Sequence, residues 1–308
     1  MTPDNDDKFA SAFAIEALRE QRLARRWNNF FKALFFLYLI ALLALSMPKL
    51  SLDTLFSNDK ITALVDIDGV IATNSDASAD IIVTGLRAAF KDDQTAGVIL
   101  RINSPGGSPV QSGYINDEIY RLKAKYPEIP IYAVIQDIGA LGGYYVAAAA
   151  DKIYADKSSI VGSIGVRMDG FGFVDSMEKL GVERRLLTSG ENKGFLDPFL
   201  PLKQEDVRHV SGVLGEIHEQ FINTVRKGRR DLLVESPELF SGYVWSGERS
   251  LELGLVDALG SASFVAREII GAEDIVDFTP RRNVLDQFAR RIGASVSERF
   301  LGGGVSMR

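Results

Sequence analysis

Along residues 61–227 the apolar positions change period several times, and the changes mark a succession of strands and helices. Residues 61–72 mix apolar residues with Asp66, Asp68 and Gly69 and read as a strand. In residues 78–90, Ile82, Leu86 and Phe90 recur every fourth position, the spacing of one helix face. Residues 97–103, with Val98, Ile99, Leu100 and Ile102 apolar, predict a buried strand. In residues 110–126, Ile115, Ile119, Leu122 and Tyr126 share a helical face that Pro127 ends. Residues 131–135 predict the next strand, residues 142–150 an Ala- and Gly-rich helix, residues 158–166 a strand-like run and residues 204–227 a long helix. Strands alternating with helices predict an α/β domain with a largely parallel sheet.

Two regions outside this alternation have patterns of their own. Residues 33–47 carry no charge, and Phe30, Phe31 and the flanking Trp27 extend the run. With Lys32 snorkelling to the interface, about 20 residues suffice to span a bilayer as a helix. Arg19, Arg22, Arg25 and Arg26 precede the run, so the positive-inside rule puts the N-terminus in the cytoplasm and the rest across the membrane. A cleaved signal peptide is the competing reading; the run starts late for one, and Leu45-Ser46-Met47 matches a cleavage site poorly. At the other end Leu285, Phe288, Ile292, Val296 and Phe300 fall three or four apart, an amphipathic helix. Packing on its own domain or a neighbour is the expected use of that stripe, with a membrane surface as the alternative. The expected organisation is a cytoplasmic tail over 1–26, an anchor over 27–49, a linker over 50–60, an α/β domain over 61–280 and the amphipathic segment over 281–308.

The chain has 308 residues, 46% of them apolar, enough for a sizeable core. Its net charge of −6 offers no basic excess for nucleic acid. Cysteine is absent, which excludes disulfides, thiolate catalysis and Cys-based metal sites. The two histidines, His209 and His218, lack the i, i+4 spacing of a zinc-binding helix and read as plain helix positions. No metal or cofactor is expected.

Two turns carry the candidate chemistry. Arg101-Ile102-Asn103-Ser104-Pro105-Gly106-Gly107-Ser108 leads a strand into a turn with paired glycines. Glycines without Cβ atoms can turn backbone N–H groups toward a bound carbonyl, as an oxyanion hole requires, although an ordinary turn has the same composition. Ala140-Leu141-Gly142-Gly143-Tyr144-Tyr145 leads a strand into a helix, the place where many hydrolases mount a nucleophile. Leu141 has no nucleophilic atom.

These motifs, with residues 139–155, Val161–Val166 (VGSIGV), residues 187–199 (LTSGENKGFLDPF) and residues 246–260 (SGERSLELGLVDALG), resemble the signal peptide peptidase A (protease IV) family. The resemblance covers roughly residues 60–260 and implies a Clp-protease/crotonase-like fold behind an N-terminal transmembrane helix. It further implies a Ser-Lys peptidase site. By that pattern Lys193 is the general base, Ser163 orients it, Gly106 and Gly107 form the oxyanion hole, and Leu141 stands where the family has its serine. A lysine base has to be held neutral, which burial favours. The resemblance also implies peptide substrates from membrane or signal sequences, and homo- or hetero-oligomers in which a lysine-bearing chain meets a serine-bearing one. The localisation it implies is a single-pass plasma-membrane protein with an extracytoplasmic domain. A pseudopeptidase that binds peptides or scaffolds a membrane complex is the other reading. A Clp-type triad is disfavoured because no histidine lies near Leu141 in sequence; a crotonase would not carry this anchor.

Overall fold

The computed structural model describes residues 27–41 and 59–280, which fall into two units divided after Asn58. In the first unit, residues 27–41 are helical and their large apolar side chains are exposed. Among the described residues no helix is long and apolar enough to cross a membrane. Residues 42–49 of the expected anchor, the tail over 1–26, most of the linker and the C-terminal stripe lie outside the described residues.

The second unit runs β1 (Ile61–Asp68), α1 (Ala79–Lys91), β2 (Thr95–Ser104), α2 (Pro109–Lys125), β3 (Ile131–Ala140), α3 (Gly142–Ala147), β4 (Lys152–Ala155) and β5 (Ile160–Gly162). It continues with α4 (Val174–Lys179), α5 (Gln204–Arg229), β6 (Val244–Ser246), α6 (Gly247–Glu252), β7 (Ala258–Leu259), α7 (Ala262–Phe264), a π-helical turn (Val265–Ile270) and β8 (Ile275–Asp277). The sheet order is β6-β5-β3-β2-β1-β8, with β4 pairing both β3 and β7. Every pairing is parallel except β5 with β6. This is the largely parallel α/β sheet that the alternation predicts, with one antiparallel pair.

Period-two alternation decides which side chains face which layer. Ala63, Val65 and Ile67 of β1, with Val98, Leu100 and Ile102 of β2, point into the main core beneath α1 and α2. Leu64, Ile99, Val134 and Tyr154 point the other way, against Val265, Ala266 and Ile270 of the π-helical turn. Both faces are covered, which is why Val98, Ile99 and Leu100 of β2 are consecutive apolar residues. Helix α2 starts as its sequence dictates: the Ser108 hydroxyl accepts the Gln111 N–H and Pro109 occupies the first helical position.

Several boundaries differ from expectation. Strand β1 stops at Asp68 because Gly69 turns with φ 82°; Ile71 then makes an isolated parallel bridge to Gly107. Strand β3 extends to Ala140, past the apolar run, because it is shared. Tyr132–Ile135 pair with β4, and Ile138–Ala140 pair with β5. At the fork the buried Ser159 hydroxyl bonds the Gln136 carbonyl. Only Ile160–Gly162 of the predicted run over 158–166 are strand. The short strands β4, β6, β7 and β8 lack a periodic signal long enough to read.

Candidate active site

The site forms where β3 and β5 end side by side. Ala140 pairs with Gly162, and the Leu141 N–H donates to the Gly162 carbonyl at 2.9 Å. Leu141 has φ 49° and ψ −118° and begins α3 as its N-cap. A branched residue with positive φ is strained, and a sharp strand-to-helix turn of this kind is how hydrolases present a nucleophile. Ser163, next after Gly162, also has positive φ (52°), and its N–H donates to the Tyr243 carbonyl at 2.8 Å. The fork in β3 thus brings Leu141 and Ser163 to one end of the sheet.

The paired glycines reach the same place from β2. Gly106 (φ 98°) packs so tightly that a Cβ there would lie 2.5 Å from Leu141 Cβ and 2.7 Å from the Gly142 nitrogen. A Cβ on Gly107 would lie 2.2 Å from the Ile71 carbonyl oxygen. The two glycines differ in what their N–H groups do. That of Gly106 donates to the Ser104 hydroxyl at 3.1 Å, and this hydroxyl donates to the Gly69 carbonyl at 2.6 Å. The Gly107 nitrogen lies beside Gly142, 3.4 Å from where a Gly142 Cβ would be. Gly107 thus lies next to the residue that follows Leu141, the position whose N–H a hydrolase elbow turns toward its substrate. Ser104 and Ser108 serve as turn and cap hydroxyls.

Residues that sequence reasoning did not single out complete this end of the sheet. A 140 Å³ pocket is lined by Gly107, Pro109, Ser112, Leu141, Gly142, Tyr145, Arg167, Ile217 and Phe221 among others. Ile217 and Phe221 show i, i+4 spacing, which signals a helix face but not what it covers. Tyr145 is held from two sides: its carbonyl accepts from Asn116 Nδ2 at 2.9 Å, and its hydroxyl accepts from Thr224 at 3.0 Å. Its neighbour Tyr144 is fully buried and donates to the Leu255 carbonyl at 2.7 Å. Burial pushes the Tyr144 phenol well above its ordinary range, so it stays a neutral donor that pins α3.

Lys193 lies elsewhere. It is exposed, in a turn closed by its own N–H to the Gly190 carbonyl at 3.2 Å, and it does not line the Leu141 pocket. Within one chain the structure thus joins Leu141, Gly106, Gly107 and Ser163 and leaves Lys193 apart. His218 Nε2 bonds the Ile164 carbonyl at 3.1 Å, and His209 meets Phe195 edge-on at 6.2 Å. Among the described residues no group of acids and histidines is arranged to hold a metal.

Residues 123–272 match peptidase family S49. A Brucella melitensis protein named Na(+)/H(+) antiporter NhaA is 42% identical over 209 residues, covering 68% of this chain and 28% of that protein. A putative signal peptide peptidase SppA from Enterococcus faecium is 33% identical over 212 residues, covering 66% of this chain and 61% of its own. A putative protease from Synechocystis is 32% identical over 206 residues, covering 67% of this chain and 72% of its own. The chain thus spans less than two thirds of the Brucella and Enterococcus proteins. With Gly106 and Gly107 packed against a strained strand-to-helix elbow, and relatives of this kind over most of the α/β unit, the chain belongs to peptidase family S49, the signal peptide peptidase A (protease IV) family.

Proposed function

We propose that this chain is a membrane-anchored S49 protein that engages peptides from membrane or signal sequences and does not cleave them by itself. In this reading Leu141 occupies the nucleophile position, Gly106 and Gly107 belong to the oxyanion turn, and Ser163 and Lys193 serve a serine supplied by another subunit. The observation that carries it is the elbow: Leu141 keeps the strained backbone of a nucleophile, beside Gly107, with no hydroxyl to use. The exposure of Lys193 supports service to a neighbour, since a side chain outside its own pocket is free to enter another's. Anchoring by residues 27–49, with the N-terminus cytoplasmic, is supported by the uncharged run and the arginines before it. An epitope after residue 60 reached by protease only from the cytoplasmic side of sealed vesicles refutes that topology.

A second reading, a pseudopeptidase that binds peptides or scaffolds a complex, is supported by the intact 140 Å³ pocket at Leu141. One substitution separates the two. Loss of the serine costs a serine protease about 10⁶-fold in kcat, so the unmodified chain should neither cleave peptides nor label with acyl-serine probes. Leu141→Ser restores a hydroxyl at the elbow. Activity in that variant that also requires Lys193 supports the split-peptidase reading. Peptide binding without activity in Leu141→Ser supports the pseudopeptidase. Cleavage by the unmodified chain, abolished by Lys193→Ala, overturns the assignment of Leu141.

A further inference from the structure

A cavity larger than the one at Leu141 lies elsewhere in the α/β unit. It has a volume of about 640 Å³ and lies between residues 168–202 and the first half of α5. That is the size of a small-ligand site. Its walls include Leu186, Phe195, Leu200, Val207, Val210 and Leu214, and exposed Phe171 and Leu202 stand among its lining residues, 82% and 66% accessible. One charge inside is unanswered. Asp206, in the first turn of α5, lines the cavity with only 8% of its surface exposed, and no hydrogen bond or ion pair within the described residues satisfies it. An acid in a first turn complements the helix dipole, but that role needs no burial, and Glu205 fills it while exposed.

The other charges of the lining are paired or, like Glu191, exposed to solvent. Arg184 pairs with Asp197 at 3.1 Å, and Asp197 also accepts the Phe199 N–H at 2.9 Å. Lys203 lies 3.8 Å from Glu205. Asp206 is mostly buried, yet its carboxylate oxygens stay open to the cavity, whose lining is part polar and part apolar, so a cation entering the cavity can reach them and offset the cost of burying the charge. We propose that this cavity binds an apolar peptide segment through a primary ammonium, which pairs with Asp206 while the apolar side chains fill the rest. The ammonium is that of a chain N-terminus or of a lysine side chain. The proposal rests on the peptide-binding reading and adds a second contact to it. Asp206, Val210 and Leu214 lie on the stripe of α5 that Ile217 and Phe221 continue into the Leu141 pocket. Asp206 and Ile217 are about three turns apart, roughly 16 Å along the axis. An extended chain covers that in about five residues.

The test uses the full chain in detergent and an eight-residue Leu/Ala peptide labelled at its C-terminus. Three forms are compared: a free N-terminus, an acetylated N-terminus, and an acetylated N-terminus with one internal lysine. The free form should bind at least tenfold more tightly than the acetylated form. Asp206→Asn should erase that difference, and Asp206→Glu should keep it within about threefold, with unfolding midpoints of both variants verifying the fold. Recovery of binding in the lysine form identifies a side-chain ammonium; failure to recover it identifies the N-terminus. Binding indifferent to acetylation and to Asp206→Asn overturns this assignment and leaves the peptide reading standing, whereas no binding of any form overturns both. A change of oligomeric state in Asp206→Asn without change in peptide affinity means a second copy fills the cavity, and also overturns it.

Discussion

Gly106 and Leu141 meet so closely that one added carbon on the glycine would lie 2.5 Å from the leucine Cβ. The Pro105-Gly106-Gly107 turn and the elbow are thus one packed unit. Gly106→Ala would also bring its methyl 2.9 Å from the Ala140 carbonyl oxygen, at φ 98°. We expect a loss of more than about 2 kcal/mol, from overpacking and backbone strain together. Leu141→Gly in the same chain should not rescue it, because the backbone contacts remain. Urea unfolding of the single and double variants checks both statements.

At Leu141 itself the backbone, not the side chain, sets the stability. Glycine is ordinarily less stable than alanine in a structured position. Here φ is 49°, so Leu141→Gly should be more stable than Leu141→Ala by about 1 kcal/mol. The reverse order in denaturant titrations would mean that the elbow relaxes on substitution.

Acid should act through Glu118. Its carboxylate is 9% exposed and bonds Arg121 at 2.6 Å and Arg87 at 2.6 Å. The Arg121 hydrogen bond, with Arg87 beside it, outweighs burial and lowers its pKa to about 2 from 4.5. A depressed carboxylate stabilises the fold above its unfolded pKa and loses that contribution as the pH falls toward its folded one. Stability should therefore decline between about pH 4.5 and 2, and Glu118→Gln should flatten that part of the profile. Both arginines are more than half exposed, so the loss at neutral pH should be about 1 kcal/mol. Thermal melts across pH measure it.

Arg229 ties the end of α5 to the strands under the elbow. It is 2% exposed, donates to the Gly254 carbonyl at 2.9 Å and pairs with Asp257 at 2.7 Å. Asp257 in turn accepts the Ile153 N–H at 2.7 Å. Arg229→Ala leaves a mostly buried carboxylate without its cation and should cost about 3–5 kcal/mol. Arg229→Ala with Asp257→Asn should recover part of that loss, because the stranded charge is gone; a double variant no better than the single one would disprove the charge explanation.

The sequence by itself determined the elements whose pattern is long and local. The faces of α1 and α2, the doubly covered β2 and the caps at Ser108 and Pro127 follow from side-chain spacing and turn chemistry, which act within a few residues. So does the absence of a hydroxyl at Leu141, which no fold can supply. Tertiary structure decided what depends on distant partners. The fork of β3 follows from pairing with two separate strands, and it is what sets Ser163 beside the elbow. The Gly106 N–H is taken by Ser104 because of how the turn closes, so the choice between neighbouring glycines was not legible from their order. Burial of Asp206 and exposure of Lys193 run against their sequence roles, one a first-turn helix acid and the other a motif lysine. Whether a charge is buried is set by which segments fold over it: residues 168–202 line a cavity with Asp206, while Lys193 of the same segment sits in an exposed turn.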